Sequence, residues 1–287
     1  MPSIATIKSE REFYKDFSSL LDVIKTVALS QFHSLERKMR TYEEFIAVVE
    51  SFFYLLDVKS IDHPFVSPKE GTPVGIVAIT SDKGLLGGLN NRIMTTAMSH
   101  MEDSRNQLIV VGNEGQKFMH GYTILFKGFL VGEDENRYLK ALELRDHIIS
   151  EVLAGSVGSV KVIYAFASSI QTQKVMEMDI LPCTKWPRDD GQDWTTVWGE
   201  DVLLESRPSH LIEYLVYLLM GQKLFEILQF ARLAEFAART THLEESSDKI
   251  KEIDKKLYQK YHRARHEVID QQMRELFTAR TLFEKDE

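Results

Sequence analysis

Apolar residues recur at helical spacing along the first fifth of the chain. Residues 4–58 contain no glycine and no proline, and their apolar side chains lie three or four positions apart, or at multiples of those steps. Members of this stripe are Leu20, Ile24, Val27, Leu35, Phe45, Val48, Phe52 and Leu55. The pattern predicts a long amphipathic helix. Three prolines and a glycine within residues 62–73 then predict a boundary, because proline breaks a helix and restricts the residue before it.

The period of the pattern changes between residues 74 and 182. Short runs rich in β-branched residues alternate there with helical patterns or turns, and they read VGIVAIT, QLIVVG, YTILFKG, VKVIYAFAS and KVMEMDIL. This alternation is typical of an α/β unit, here with a sheet of about five strands. Residues 184–207 follow as a polar connecting loop with three tryptophans, to which the sequence assigns no chemistry.

The C-terminal segment is again almost free of helix breakers. After Pro208 it contains one glycine, Gly221, and it would reach ~115 Å as one unbroken helix at 1.5 Å per residue. A step of three and four, close to the coiled-coil period, continues through Ile250, Ile253, Leu257, Tyr261, Ala264 and Val268. A domain of about 110 residues cannot cover so long a helix. We therefore expect the two terminal helices to pair in antiparallel fashion, with a plain dimerisation coil as the alternative.

Composition and charge exclude several classes of protein. The chain has 287 residues, is 44% hydrophobic and carries a net charge of -8, which argues against a general nucleic-acid binder. The single cysteine, Cys183, cannot form an internal disulfide, so a reducing compartment is expected. No run of about 18 apolar residues occurs, so membrane association is expected only through a partner.

The glycine-rich stretch VGIVAITSDKGLLGGLNNRI, residues 74–93, resembles the start of a phosphate-binding loop but lacks its key residues. A Walker A loop needs lysine directly after its closing glycine, whereas Gly88 is followed by Leu89 and Asn90. The G-x-G-x-x-G spacing of dinucleotide-binding folds is also missing. His262 and His266 lie four apart without the glutamate of a zinc protease motif. We predict no catalytic residue, no cofactor and no metal; a small nucleotide-dependent enzyme using residues 80–90 stays as an alternative.

Five segments in the right order resemble the gamma subunits of F-type ATP synthases. They read TSDKGLLGGLNNRI (80–93), VVGNEGQKFMHGYTI (110–124), AFASSIQTQKVMEMDILP (165–182), ARLAEFAARTTHLEESSDKI (231–250) and HRARHEVIDQQMREL (262–276). The first is similar to the family signature T-S-D-R-G-L-x-G-G-L-N, with Lys83 in place of the arginine. On this resemblance the glycines shape a turn from strand to helix and do not hold a phosphate.

The resemblance implies an architecture and a set of partners. The implied fold class is α/β: a long antiparallel coiled-coil shaft of residues 1–62 and 208–287, a Rossmann-like central foot domain of about five strands at 70–183, and a loop at 184–207. The implied function is that of a central rotor stalk, without catalysis of its own. The implied partners are the alpha and beta subunits of the catalytic ring, the epsilon subunit and the membrane c-ring, at the cytoplasmic face of the inner membrane.

The resemblance also assigns candidate site residues. Contacts between the rotor and the ring are expected at Ile24, Lys25, Arg239, Gln271 and Glu275. The family signature turn comprises Ser81, Asp82, Lys83, Gly84, Gly87, Gly88 and Asn90. Other interpretations stay open, because Arg239 could lie along the coil and Gln271 and Glu275 could be ordinary solvated residues.

Some positions depart from the family pattern. The basic residues that usually follow the N-terminal contact segment are replaced by SQFHSLERK, and the chain is acidic where the family tends to be basic. Contacts with the acidic lever of the beta subunit are then weaker or differently placed. The departures point to a divergent branch, such as an alternate sodium-translocating complex. A coiled-coil adaptor that kept the fold and lost the rotor role is the second hypothesis.

Overall fold

A computed structural model describes residues 3–39, 61–69, 71–185 and 206–283. The α-helices are α1 (Ile4–Met39), α2 (Leu89–Ser99), α3 (Asn113–Met119), α4 (Arg137–Leu153) and α5 (Pro208–Phe283). The strands are β1 (Val74–Ile79), β2 (Gln107–Val111), β3 (Phe126–Phe129), β4 (Ser159–Ala167) and β5 (Gln173–Leu181). The predicted α/β class, with a five-stranded sheet between long terminal helices, is confirmed. Residues 40–58 of the predicted first helix, and residues 186–205 of the predicted loop, lie outside the described residues.

The five strands form one sheet in the order β3-β2-β1-β4-β5. β1 lies parallel to β2 and β4, β3 lies parallel to β2, and β5 returns antiparallel to β4. β3 begins at Phe126, so the prediction of a strand from Tyr122 was four residues too early at its start. The pairing of β3 starts opposite Leu108 of the short strand β2, and Leu125, just before it, is almost fully exposed.

Both faces of the sheet are covered by helices. Alternate residues of β1 point to opposite faces, as the period of a strand requires. Val77 and Ile79 join a core with α4 and the first part of α5, whereas Ile76 and Ala78 join a second core with α2. Burial on both faces explains why β1 reads as a continuous apolar run without polar alternation.

Contacts divide the chain into two compact units. The first comprises Met1–Ala28 with Thr240–Glu287, and the second comprises Leu29–Arg239. The second unit includes the stretch of α5 before Thr240, because that stretch supplies Ile212 to one core and Ala234 to the other. The predicted domain limits at 62, 70, 183 and 208 lie in or beside ranges outside the described residues, and they stay predictions.

In the first unit, α1 and α5 pair in antiparallel fashion. Arg11 contacts Asp254 at 2.8 Å, and Lys25 lies 4.0 Å from Glu244, so residue numbers rise along one helix as they fall along the other. An apolar cluster between these contacts is built from Leu21, Leu243, Ile250, Tyr14 and Ile24. The predicted seam of α5 is buried at Ile250 and Leu257, whereas Ile253 and Val268 are exposed.

The Arg11–Asp254 pair is expected to stabilise this helix pairing by about 1 kcal/mol. Two guanidinium nitrogens of Arg11 donate to the two carboxylate oxygens of Asp254, at 2.8 and 3.3 Å, and these hydrogen bonds lower the pKa of Asp254. Because the pKa is lowered, the stabilisation is fully present above about pH 3.8, which is the pKa of an unfolded aspartate. It is lost as the pH falls through the lower pKa that Asp254 has in the folded protein. Urea unfolding of Asp254→Asn should therefore show a deficit at pH 7 that shrinks on acidification.

Asp248→Asn is the control for that measurement. Asp248 pairs with Lys251 on the same helix at 3.1 Å, but both side chains are more than 60% exposed, so its loss should change stability little. Equal deficits in the two variants, or a deficit of Asp254→Asn that does not change with pH, would contradict the proposed role of the pair.

Candidate functional site

Three loops meet at the carboxyl edge of the parallel strands in the second unit. They are the turn after β1, Gly112 after β2, and the residues after β3. Parallel strands place their carboxyl ends at one edge, which is where α/β folds bind ligands. The family signature turn, predicted from the sequence, lies at this edge.

Ser81 and Asn90 close the turn after β1. The Ser81 amide donates to Asn90 Oδ1 at 3.2 Å, and Asn90 Nδ2 donates to Ser81 Oγ at 2.8 Å. Ser81 Oγ in turn donates to the carbonyl of Lys83 at 2.7 Å. Gly87 and Gly88, with φ of 56° and 85°, adopt the left-handed conformation that brings the chain into α2. The glycines therefore shape a turn from strand to helix.

Asp82 joins this turn to the other two loops. Its carboxylate accepts the backbone N–H groups of Asn113 at 3.1 Å, Val131 at 3.4 Å and Gly132 at 3.0 Å. Converging backbone N–H groups of this kind form anion sites in phosphate-binding loops. Here the protein's own carboxylate takes that place. Lys83, the next residue, is exposed.

The crevice between the ends of β1 and β4 is filled by α5. After β1 the chain crosses to β2, which pairs with one edge of β1, whereas β4 pairs with the other edge. The crevice between β1 and β4 is therefore the switch point of the sheet, the place where open α/β sheets bind ligands. The cavity there is about 20 Å³, with Thr80, Ser81 and Ala165 on one side and Leu228 and Arg232 of α5 on the other. Such a volume holds about one water molecule and is far too small for a nucleotide.

A larger groove beside the signature turn is acidic. Its volume is about 410 Å³, and its charged lining is Asp82, Lys83, Glu133, Glu135, Arg232 and Glu235. Four carboxylates face two cations, and this charge balance disfavours a phosphate. The geometry therefore argues against the alternative of an enzyme that uses residues 80–90 for a nucleotide.

Glu235 of α5 holds two arginines. Its side chain is 7% exposed, with Oε2 at 2.8 Å from Arg232 Nη1 and Oε1 at 2.6 Å from Arg239 Nη2. The guanidinium of Arg232 also lies over the ring of Phe236, 4.4 Å from its centroid. Arg239, one of the predicted contacts with the ring, is thus 89% buried in its side chain and paired within its own helix.

The other predicted contacts lie in the first unit. Ile24 packs against the apolar cluster between the helices, and Lys25 Nζ lies 3.7 Å from Asp22 and 4.0 Å from Glu244. Gln271 and Glu275 are exposed and joined to each other by a hydrogen bond of 3.0 Å. These pairs lie on separate stretches of helix and do not converge on one cluster.

Sequence reasoning missed Glu235. Its signal was present in ARLAEFAAR, where a glutamate lies three residues after one arginine and four before another among small apolar residues. Within this segment the resemblance assigned a role only to Arg239. The helical spacing would have predicted that Arg239 has a partner on its own helix.

The described residues offer neither a metal site nor a membrane-spanning helix. Within the described ranges, no three or more histidine, cysteine or acidic side chains lie together so that they could hold a metal ion. None of the described helices combines the length and the apolar character that crossing a membrane requires.

Cys183 is expected to be inert towards thiol reagents in the folded protein. It is fully buried, and burial raises the pKa of its thiol from 9.0 to about 12. Because the neutral thiol is favoured in the fold, its contribution to stability is present below pH 9 and is lost as the pH rises towards 12. Labelling with a disulfide reagent at pH 8 should be at least 100-fold faster in denaturant than in native buffer. Comparable rates would show that the thiol is accessible.

The described residues thus define an α/β protein in which a long helix occupies the crevice at the switch point of the sheet. A family model described as ATP synthase matches residues 3–280. The chain therefore belongs to the ATP synthase family.

Individual relatives and solved structures agree with this assignment. The chain is 28% identical over 286 residues to the ATP synthase gamma chain of Halothermothrix orenii, covering 96% of this chain and 97% of that one. It is 24% identical over 283 residues to the ATP synthase gamma chain of Heliobacterium modesticaldum, and the match covers 96% of this chain and 97% of that one. A chain of the Euglena gracilis mitochondrial ATP synthase, in a structure of OSCP, F1 and c-ring, has the same fold, with a TM-score of 0.68, 17% identity and coverage of 98% and 94%. A chain from the central stalk and c-ring of the Tetrahymena thermophila mitochondrial ATP synthase also has this fold, with a TM-score of 0.62 and 19% identity. The match covers 79% of this chain and 99% of that one.

Proposed function

We propose that this chain is the central rotor-stalk subunit of an F-type ATP synthase or ATPase. In this role it couples ion movement through a membrane sector to ATP synthesis or hydrolysis in an alpha/beta ring. The observation that carries the proposal is the family match from residue 3 to residue 280, which includes both paired helices and the sheet between them. The adaptor hypothesis is not favoured, because the gamma-chain relatives match over nearly their whole length.

The subunit acts by mechanics and not by bond chemistry. An asymmetric shaft that turns within a ring makes different contacts with each ring subunit, and these differences in binding energy shift each subunit between open and closed states. Two features support a non-catalytic role: α5 fills the ligand crevice, and the single cysteine is buried. Salt-bridged antiparallel helices suit a part that must stay stiff.

The proposed partners are alpha and beta ring subunits, an epsilon subunit and a c-ring. Chains of similar fold occur in a structure of OSCP, F1 and c-ring and in a structure of a central stalk with its c-ring, which supports this set. The proposed place of the chain is the cytoplasmic face of the inner membrane, held there by the c-ring. We further propose that Ile24, Lys25, Arg239, Gln271 and Glu275 contact the ring. The exposure of Gln271 and Glu275 supports that role, and the pairing of Arg239 with Glu235 restricts it.

Reconstitution with the ring tests the proposal. The tagged chain, expressed with the alpha, beta and epsilon subunits of its host, should recover them on purification, and ATPase turnover of the ring should depend on the chain. Recovery without any effect on turnover would favour the adaptor. Failure to recover ring subunits, or ATP or NAD binding by the isolated chain, would contradict the rotor assignment.

Gly87→Val is a variant that separates the rotor from the enzymatic alternative in the same test. Gly87 lies in the left-handed region, with φ of 56°, where a β-branched residue is strained. The variant should impair folding or assembly. Normal assembly together with the loss of a bound nucleotide would instead support an enzymatic loop.

A further inference from the structure

A groove in the second unit lies where α1, β4 and α5 meet, and we call it the aromatic groove. Its volume is about 170 Å³, and it shares no described lining residue with the cavity or the acidic groove beside the signature turn. None of the five proposed ring contacts lies in it. The side chains that define it are Glu36 and Met39 of α1, Phe166 of β4, and Phe225, Glu226 and Phe230 of α5.

The sequence places rings and a carboxylate on one face of α5. Phe225 and Gln229 are four residues apart, as are Glu226 and Phe230, so the four side chains lie within one stripe of the helix. Phe166, near the end of β4, joins them, and its ring centroid lies 5.2 Å from that of Phe230. All three phenylalanines are only partly buried and belong to the lining. The groove therefore has aromatic walls.

The size of the aromatic groove suits one aromatic ring with a short substituent. A cavity of ~150 Å³ with an apolar lining holds a benzene molecule. Sites for larger, drug-sized ligands measure ~300–1,000 Å³. At about 170 Å³, the aromatic groove belongs near the first of these sizes, and Met39 and Leu233 add apolar surface to its lining. The ligand that it fits is accordingly a small aromatic molecule.

The charges of the lining select a cation. Glu36 and Glu226 are partly buried and line the groove from two different helices. No lysine, arginine or histidine occurs among the described residues of the lining. The face of an aromatic ring also attracts a cation, and this attraction is stronger where water is excluded. The carboxylates and the rings thus favour the same charge in a ligand.

Two basic side chains lie close to the groove but outside its lining. Arg137 Nη1 donates to Gln229 Oε1 at 3.2 Å, and Arg137 is 1% exposed, so the amide of Gln229 separates this cation from the groove. His33 Nδ1 lies 3.5 Å from Glu36 on the same helix, but its side chain is 54% exposed. Neither side chain occupies the space between the phenylalanine rings.

We propose that the aromatic groove binds a small organic cation of the arylalkylammonium class. Glu36 and Glu226 neutralise the ammonium group of the ligand, and the three phenylalanine rings hold its apolar body. Because its lining comes from α1, β4 and α5, an occupied groove ties these three elements together and stabilises the folded chain by mass action. This binding does not depend on the rotor function.

Calorimetric titration of the full chain tests the class of ligand. Benzyltrimethylammonium is the probe, and benzyl alcohol and phenylacetate are its neutral and anionic counterparts with the same ring. The cation should bind with a dissociation constant below about 1 mM. Its affinity should be at least fivefold higher than that of benzyl alcohol and at least twentyfold higher than that of phenylacetate. No saturation up to about 10 mM of the cation, or equal affinity for phenylacetate, would overturn the inference.

Three glutamate variants test the position of the site. Glu226→Gln removes a charge from the lining and keeps the shape of the side chain. It should weaken binding of the cation at least fivefold and leave binding of benzyl alcohol unchanged. Glu36→Gln makes the same change on α1 and should have the same effect, so one variant suffices if the other does not fold. Glu143→Gln is the matched control, because Glu143 is exposed on α4 and outside the lining, and it should change affinity less than twofold. Equal weakening in the folded variants and the control would overturn the inference.

The assembled complex distinguishes a small ligand from a side chain of a partner protein. A lysine or arginine of another subunit would meet the same rings and carboxylates. The chain assembled with its ring subunits should bind benzyltrimethylammonium as the isolated chain does. Loss of binding on assembly would mean that a partner covers the groove, and it would overturn the assignment of a small ligand. Failure of the chain to assemble would contradict the rotor function alone, since the titrations of the isolated chain do not require it.

Discussion

Gly112→Ala is expected to lower the free energy of unfolding by at least about 4 kcal/mol, or to prevent folding altogether. Gly112 has φ of 98° and ψ of 142°, which residues with a side chain avoid. A Cβ atom there would also lie 2.5 Å from the backbone oxygen of Thr80. That oxygen cannot move away easily, because the Thr80 amide donates to the carbonyl of Val111 at 2.8 Å. Urea unfolding followed by circular dichroism measures the loss.

Gly88→Ala separates the two contributions. Gly88 also has a positive φ, 85°, but its Cβ would meet no atom within 4 Å. Only conformational strain remains, and it should cost about 1 kcal/mol. Similar losses in the two variants would show that the close approach to Thr80 has no energetic consequence. If Gly112→Ala is insoluble while Gly88→Ala is soluble, that difference alone would support a large cost of the close approach to Thr80, without an unfolding curve.

The sheet could be predicted from the sequence because strand patterns are local. The runs around β1 and β4 are apolar and β-branched, and they are bounded by turn residues, so the number of strands followed from short windows. The start of β3 could not be predicted in the same way. Residues 122–125 have strand propensity, but β2 begins only at Gln107, and its pairing with β3 starts at Leu108 opposite Phe126.

The chemistry of the turn was only partly predictable. The missing lysine after Gly88 and the spacing of the glycines were enough to disfavour a nucleotide. What occupies the crevice instead comes from α5, well over a hundred residues later in the chain, and such packing leaves no local signal. The role of Asp82 was hidden for the same reason, since Asn113 and Gly132, which donate to it, follow other strands.

The face of α1 that pairs with α5 was also beyond prediction. Leu20, Ile24 and Val27 form an apolar stripe at helical spacing, but Leu21 and Ala28 form another one. The structure buries Leu21 and Ala28 and leaves Leu20 and Val27 exposed. Periodicity shows that a helix has apolar faces. Which face is covered depends on the shape of the partner helix, and a single sequence does not carry that information.

Glu235→Ala is expected to lower the free energy of unfolding by about 3 kcal/mol, because it leaves the paired charges of Arg239 and Arg232 without their shared carboxylate. Breaking a buried ion pair from one side costs more than the pair itself contributes, since a desolvated charge remains. The loss should be smaller for Glu235→Gln, which keeps one acceptor oxygen. Urea unfolding at pH 7 measures both variants.

Glu143→Ala is the matched control. Glu143 pairs with Lys140 three residues earlier at 2.7 Å, with the same spacing as Arg232 and Glu235, but both side chains are at least 37% exposed. Its loss should cost less than about 0.5 kcal/mol. Adding Arg239→Met to Glu235→Ala should recover part of the stability, because the stranded cation is removed. Equal costs at the two glutamates would mean that Glu235 behaves as a solvated surface residue, and Arg239 would then be available to contact the ring.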